Sequence, residues 1–149
     1  MNTQHSQESS NFPPSFFRVS IKALIVKHGK VLLLDEGPKE TGGRFELPGG
    51  GLDFGENIHE ALKREIFEET GLVVKSVAKN PTYIWTWRFE QTRNMDWFYS
   101  LVIAYKVELE SFEGHEKLSF FSKEDLQTAD LRYQTNGLKE YFNPEDFTL

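Results

Sequence analysis

The sequence predicts a single mixed α/β domain, and three observations carry that prediction. Short β-rich apolar segments recur along the chain between Gly, Pro, Asn and Asp turn signals. One longer stretch, residues 56–71, carries a helical apolar stripe instead. The 149 residues are 38% hydrophobic and 14% aromatic, with 13 phenylalanines, so there is enough apolar matter for one sizeable core.

The elements follow in order. Residues 1–15 open with the polar run MNTQHSQESSN and reach Pro13-Pro14, the composition of a flexible arm; residues 16–149 form the single domain. Residues 17–27 and 30–35 are β-rich and meet at His28-Gly29, which reads as a hairpin, with a loop over 35–43. The strand-like RFELP then runs into Gly49-Gly50-Gly51, glycines that let backbone approach a ligand or ion closely. A helix is expected from Gly55 and Glu56, whose carboxylate suits the positive end of the helix dipole, to Gly71, a left-handed terminator. Strands over 73–77, 83–89 and 97–107 follow, with a turn at 91–96 and a loop over 108–117. Ser122-Lys123-Glu124-Asp125 resembles a capping box opening a short helix, and 130–142 carries another.

The helix 56–71 holds the most informative side chains. Ile58, Ala61, Leu62 and Ile66 make its apolar stripe, and Glu65 and Glu69 fall inside that arc rather than opposite it. With Glu68 they put three acids on a shared patch at the helix C-terminus, where each carboxylate meets the negative dipole end at a cost of roughly 0.3–1 kcal/mol. Pairing with Lys63 and Arg64 is the plain alternative. A divalent cation removes both penalties at once, since hard carboxylate oxygens suit Mg2+ or Mn2+.

Gly50, Glu56, Arg64, Glu65, Ile66, Glu68, Glu69, Gly71 and Leu72 stand at every fixed position of the box G-x5-E-x7-R-E-U-x-E-E-x-G-U, U being aliphatic. The segment thus resembles the Nudix hydrolase family, and the likeness extends over residues 16–142. The resemblance implies an α/β/α sandwich with a mixed β-sheet and a loop-helix-loop catalytic motif. It implies Glu65, Glu68 and Glu69 as ligands of Mg2+, for which Mn2+ would substitute, with the Gly49 carbonyl a further ligand. Gly50, Glu56, Arg64 and Gly71 would be architectural.

The implied reaction is hydrolysis of a phosphoanhydride bond in a nucleoside diphosphate linked to another group, with water as nucleophile. Glu68 is the first candidate for its base, because a carboxylate beside other carboxylates has its pKa raised towards a useful value. Other members take a base from a later loop, where Glu113 and Glu116 lie, Glu116 being preferred. Arg44, Arg88 and Arg93 could meet phosphate, Arg44 lying nearest the box. Tyr83, Trp85, Trp87 and Phe89 alternate on one strand face; core packing is the main reading, with Trp85 set against a nucleobase.

A net charge of −6 and no long Lys/Arg run argue against tight binding to long nucleic acid, whereas a small nucleotide bound through cations is compatible. With no cysteine there is neither disulfide nor thiolate site, and the four histidines show no zinc-like spacing. Absence of any apolar run of roughly 20 residues and of a signal-peptide core predicts a cytoplasmic protein without membrane contact. A C2 homodimer is expected from the commonness of such assemblies. Neither the SQPWPFP-like array nor a downstream Pro or Tyr marker of particular substrates is found, Pro81 lying too near the box. The rival reading is a non-catalytic Nudix-like module that binds or senses a nucleotide, and a weaker one is an RNA-processing pyrophosphatase.

Overall fold

The computed structural model describes residues 15–38, 43–91, 96–113 and 118–148, with the side chains of 18–38, 43–88, 99–113 and 118–148. The long strand β1 (Ser15–Leu24) lies parallel to β8 (Asp96–Leu109), in register from Ser15 opposite Trp97 to Leu24 opposite Lys106. On the outer side of β1 the short strand β5 (Gly49–Gly51) pairs antiparallel, placing Gly49 opposite Lys22. β6 (Val74–Val77) and β7 (Tyr83–Gln91) both pair antiparallel with β8, so the sheet is mixed.

The second sheet is antiparallel and built on β3 (Lys30–Asp35). It takes β2 (Val26–Lys27) through the predicted turn, then β4 (Phe45–Glu46), with β9 (Leu118–Phe121) also pairing β3.

Alternation along β1 and β3 divides the apolar residues between two cores. Ile21, Ala23, Leu32 and Leu34 join Ala61, Leu62 and Ile66 of helix α1 (Ile58–Thr70). Leu24, Val31 and Leu33 point the other way, into a core shared with Trp85, Leu126, Leu138 and Phe142 beneath α2 (Lys123–Thr128) and α3 (Gly137–Tyr141). Helices therefore cover both faces of the β-structure, the expected α/β/α layering. Among the described residues no helix is long and apolar enough to cross a membrane.

Several elements differ from their sequence reading. Asn57, not Glu56, caps α1, accepting the Glu60 N–H at 3.1 Å, so Glu56 stays in the loop before the helix. There its carboxylate accepts the Asp53 N–H at 2.8 Å. Gly71 does end the helix, at φ 73° with its N–H on the Phe67 carbonyl. β8 continues to Leu109, into the segment expected to be loop. The single helix expected over 130–142 is a 3-10 turn, Tyr133–Thr135, followed by α3. The Ser122 capping box is present with both reciprocal bonds. Of the expected arm only Ser15 is described, as the first residue of β1, and the centres of the predicted 35–43, 91–96 and 108–117 loops lie outside the described residues.

Candidate active site

The site forms where the C-terminal half of α1 meets β5. The apolar stripe seats α1 on the sheet, which half-buries Glu65 and Glu69 and leaves Glu68 in solvent. Glu69 accepts the Gly49 N–H at 2.8 Å. Gly49 adopts φ 128°, and a Cβ there would run into the Ile21 carbonyl of β1. At Gly50 a Cβ would stand 2.9 Å from the Glu65 carboxylate. The glycines thus bring backbone and acids to within contact distance of one another, which larger residues would prevent.

Burial pushes the Glu69 carboxyl up to about 7; the Gly49 N–H and Lys22 pull it down, and the charges of Glu65 and Glu46 push it further up. A half-buried acid in that state lacks a sufficient cationic partner.

Arg64 occupies the solvent side. Its guanidinium reaches Glu56 at 2.8 Å, Glu68 at 2.9 Å and Glu65 at 3.4 Å. These bonds, that to Glu68 first, raise its pKa, while the bonds from the Asp53 N–H and from Arg64 hold the Glu56 carboxyl below its usual range. Arg64 thereby ties the loop residue Glu56 to the helix. It also holds two of the three candidate ligands. Among the described residues no three acidic or histidine side chains stand as a ready cation cage. The donor chemistry nonetheless fits a hard divalent ion, since Glu65, Glu68, Glu69 and the Gly49 carbonyl are oxygen donors gathered at one helix end.

On the other face of the sheet lies a cluster that the sequence reading missed. Lys22, 2% exposed, extends its ammonium from β1 to Glu46 Oε1 at 3.0 Å and to the carbonyls of Leu47 and Gly49, each at 3.3 Å. Gln134 donates to the same Glu46 oxygen at 2.6 Å and accepts from Ser20 at 3.1 Å. Burial opposes ionisation of Glu46, but the Lys22 charge and the bonds from Lys22 and Gln134 outweigh it and hold the carboxyl below its ordinary value. A lysine in the middle of the apolar run SIKALIV was the one available signal.

The remaining candidates lie elsewhere. Arg44 is held in a two-pronged pair by Asp35, at 2.7 and 2.8 Å, beside β3 and β4. Trp85 is buried in the core beneath α3, its indole N–H on the Gln134 carbonyl at 2.7 Å and its ring stacked on Tyr141, the core packing that is the main reading of its strand. Arg88 is exposed on β7. Glu113 is exposed, its N–H on the Ser111 hydroxyl at 3.1 Å, whereas Glu116 and Arg93 lie outside the described residues.

Comparison with known proteins places this arrangement. The chain is 44% identical over 57 residues to the ADP-ribose pyrophosphatase of Methanocaldococcus jannaschii, a match covering 38% of this chain and 34% of that one. It is 41% identical over 54 residues to the 8-oxo-dGDP phosphatase NUDT18 of Homo sapiens, covering 36% of this chain and 17% of the other. The matches thus span 34% and 17% of the length of those relatives. Among solved structures, the MutT NUDIX hydrolase of Burkholderia pseudomallei superposes with a TM-score of 0.57 at 25% identity, over 85% of this chain and 99% of that one. The NUDIX domain profile matches residues 16–142, which take in β1, the glycine strand, the acidic helix and the Gln134 turn alike, and the chain accordingly belongs to the NUDIX domain family.

Proposed function

We propose that the protein hydrolyses a phosphoanhydride bond in a nucleoside diphosphate linked to another group, with Mg2+, or Mn2+ in its place, held by Glu65, Glu68, Glu69 and the Gly49 carbonyl. The observation that carries this reading is Glu69, a half-buried carboxyl raised to about 7 beside Glu65 and bonded, among the described residues, by a backbone N–H. When bound, the divalent ions neutralise phosphate charge and offset what develops on the leaving group.

The chain's own residues divide the rest of the work. Gly49 and Gly50 admit a phosphate to the backbone, and Arg64 with Glu56 holds the loop in place. Glu68, solvent-facing at 52% side-chain exposure, is where water can enter. As base it takes the proton of the attacking water while the water oxygen bonds to phosphorus, the anhydride P–O bond breaks, and the leaving phosphate departs as an anion. Glu68 must leave Arg64 to do so.

The activities for which the Methanocaldococcus jannaschii and human relatives are named favour ADP-ribose and 8-oxo-guanine nucleotides as first substrates to test. The cytoplasm is the compartment that suits a chain without cysteine. Phosphate release from those compounds, nucleotide sugars and dinucleoside polyphosphates is to be measured with Mg2+, Mn2+ or EDTA. Cleavage that needs metal and is lost in a folded Glu69→Gln variant is the expected result. Metal binding with no cleavage of any compound would favour the non-catalytic module instead.

A further inference from the structure

We propose that Lys22 is a positioning residue, fixing the direction of the Gly49 carbonyl so that its remaining lone pair is presented to the divalent ion. This rests on the metal reading above.

The geometry gives Lys22 more than a charge partner. An ammonium carries three donors, and in Lys22 all three are used, one on Glu46 and two on the consecutive stretch of backbone that leads into the glycine strand. Pairing with Glu46 alone would answer the cost of burying the charge only in part, and a buried ion pair is seldom more stable than apolar residues of the same volume. What the lysine adds is control of the peptide group that follows Gly49, while the group that precedes it is held separately. The N–H of that residue is held from one face of the sheet by Glu69, and its carbonyl from the other face by Lys22. Gly49, which lacks a Cβ and stands at φ 128°, is thus fixed by bonds to the peptide groups on both sides of its Cα.

A carbonyl oxygen has two lone pairs, so a bond from Lys22 on one leaves the other available. Glu46 cancels the ammonium charge, so the lysine can orient the carbonyl without repelling a cation. Gln134, reaching in from the 3-10 turn, anchors Glu46 in turn, and Ser20 anchors Gln134. Groups that orient a ligand in this way typically change metal affinity by roughly 10–100-fold when removed.

The test is Mn2+ binding by calorimetry, a readout independent of turnover, on three folded proteins: wild type, Glu46→Gln, and Lys22→Met/Glu46→Gln. The double variant removes both charges together and avoids leaving one buried alone. The expected result is weakening of Mn2+ binding by roughly 10–100-fold in the double variant and a clearly smaller loss in Glu46→Gln, which leaves the ammonium charge uncancelled but retains both lysine–carbonyl bonds. Equal affinity in wild type and double variant overturns the proposal, as does equal loss in both variants, which would assign the effect to Glu46. Should Met at position 22 prevent folding, Lys22→Gln with Glu46→Gln serves in its place under the same outcomes. A wild type that binds no Mn2+ overturns the metal reading itself.

Discussion

Two charged clusters flank the glycine strand, and they are built on opposite terms. Lys22 is buried and Glu46 and Gln134 are partly so, and short bonds tie the three together in one arrangement. Arg64 and Glu68 are exposed and Glu56 and Glu65 partly so, one guanidinium being shared among three acids, so its partners can be exchanged at small cost. The contrast separates two tasks within one site. The buried cluster sets where the backbone stands; the open one holds acids that must be free to turn towards an arriving ion.

The contrast is broken most severely by Lys22→Met alone. Removing one partner of a buried pair leaves Glu46 an uncompensated charge, so urea denaturation in EDTA should show a loss of about 3–5 kcal/mol. A loss no larger than that of a surface substitution would mean the pair is not buried as described.

Glu69 lies between the two clusters and gives the next effect. In the folded chain it keeps its proton up to about pH 7, against 4.5 for the ordinary group, so the folded state carries the extra proton within that window. Stability of the metal-free protein therefore falls as pH rises from about 4.5 to about 7, because the unfolded chain binds fewer protons there. Denaturation midpoints of wild type and Glu69→Gln, compared across that range in EDTA, should diverge with rising pH in favour of the variant. Parallel curves would mean that Glu69 is not held neutral.

The smallest effect belongs to Arg64→Gln. Its pairs are exposed, so the loss in denaturation midpoint should be well below that of Lys22→Met and should shrink further as salt is added. A salt-independent loss would show that Arg64 acts through packing of the loop rather than through charge.

How far the sequence reaches differs between the same two clusters. The helix and its acids were legible because their spacing is local: one periodicity sets Ile58, Ala61, Leu62 and Ile66 inward and carries Glu65 and Glu69 with them. Glu56 is read as first-turn but stands two residues before the helix begins, because Asn57, a better cap, follows it directly. Lys22 was missed because its partners come from β4, β5 and the Gln134 turn, and alternation along one strand says which face a residue takes, not what waits there. The helix expected over 130–142 failed for a similar reason. The Gln134 carbonyl is drawn to the Trp85 indole and its side chain to Glu46, tertiary bonds that a local helical pattern does not foresee.

The parallel pairing of β1 with β8 also bears on the order in which a growing chain can acquire its shape. Ser20 and Ser100, whose hydroxyls meet at 3.3 Å, are 80 positions apart, and the Gln134 turn that locks them follows later still. A chain emerging from the ribosome displays the whole box helix well before the strand that completes its sheet exists, and long-range parallel pairing is slow to form. During that interval the acidic helix has a motif but no floor, its apolar stripe is uncovered, and competence arrives with residues made well after those that name the family.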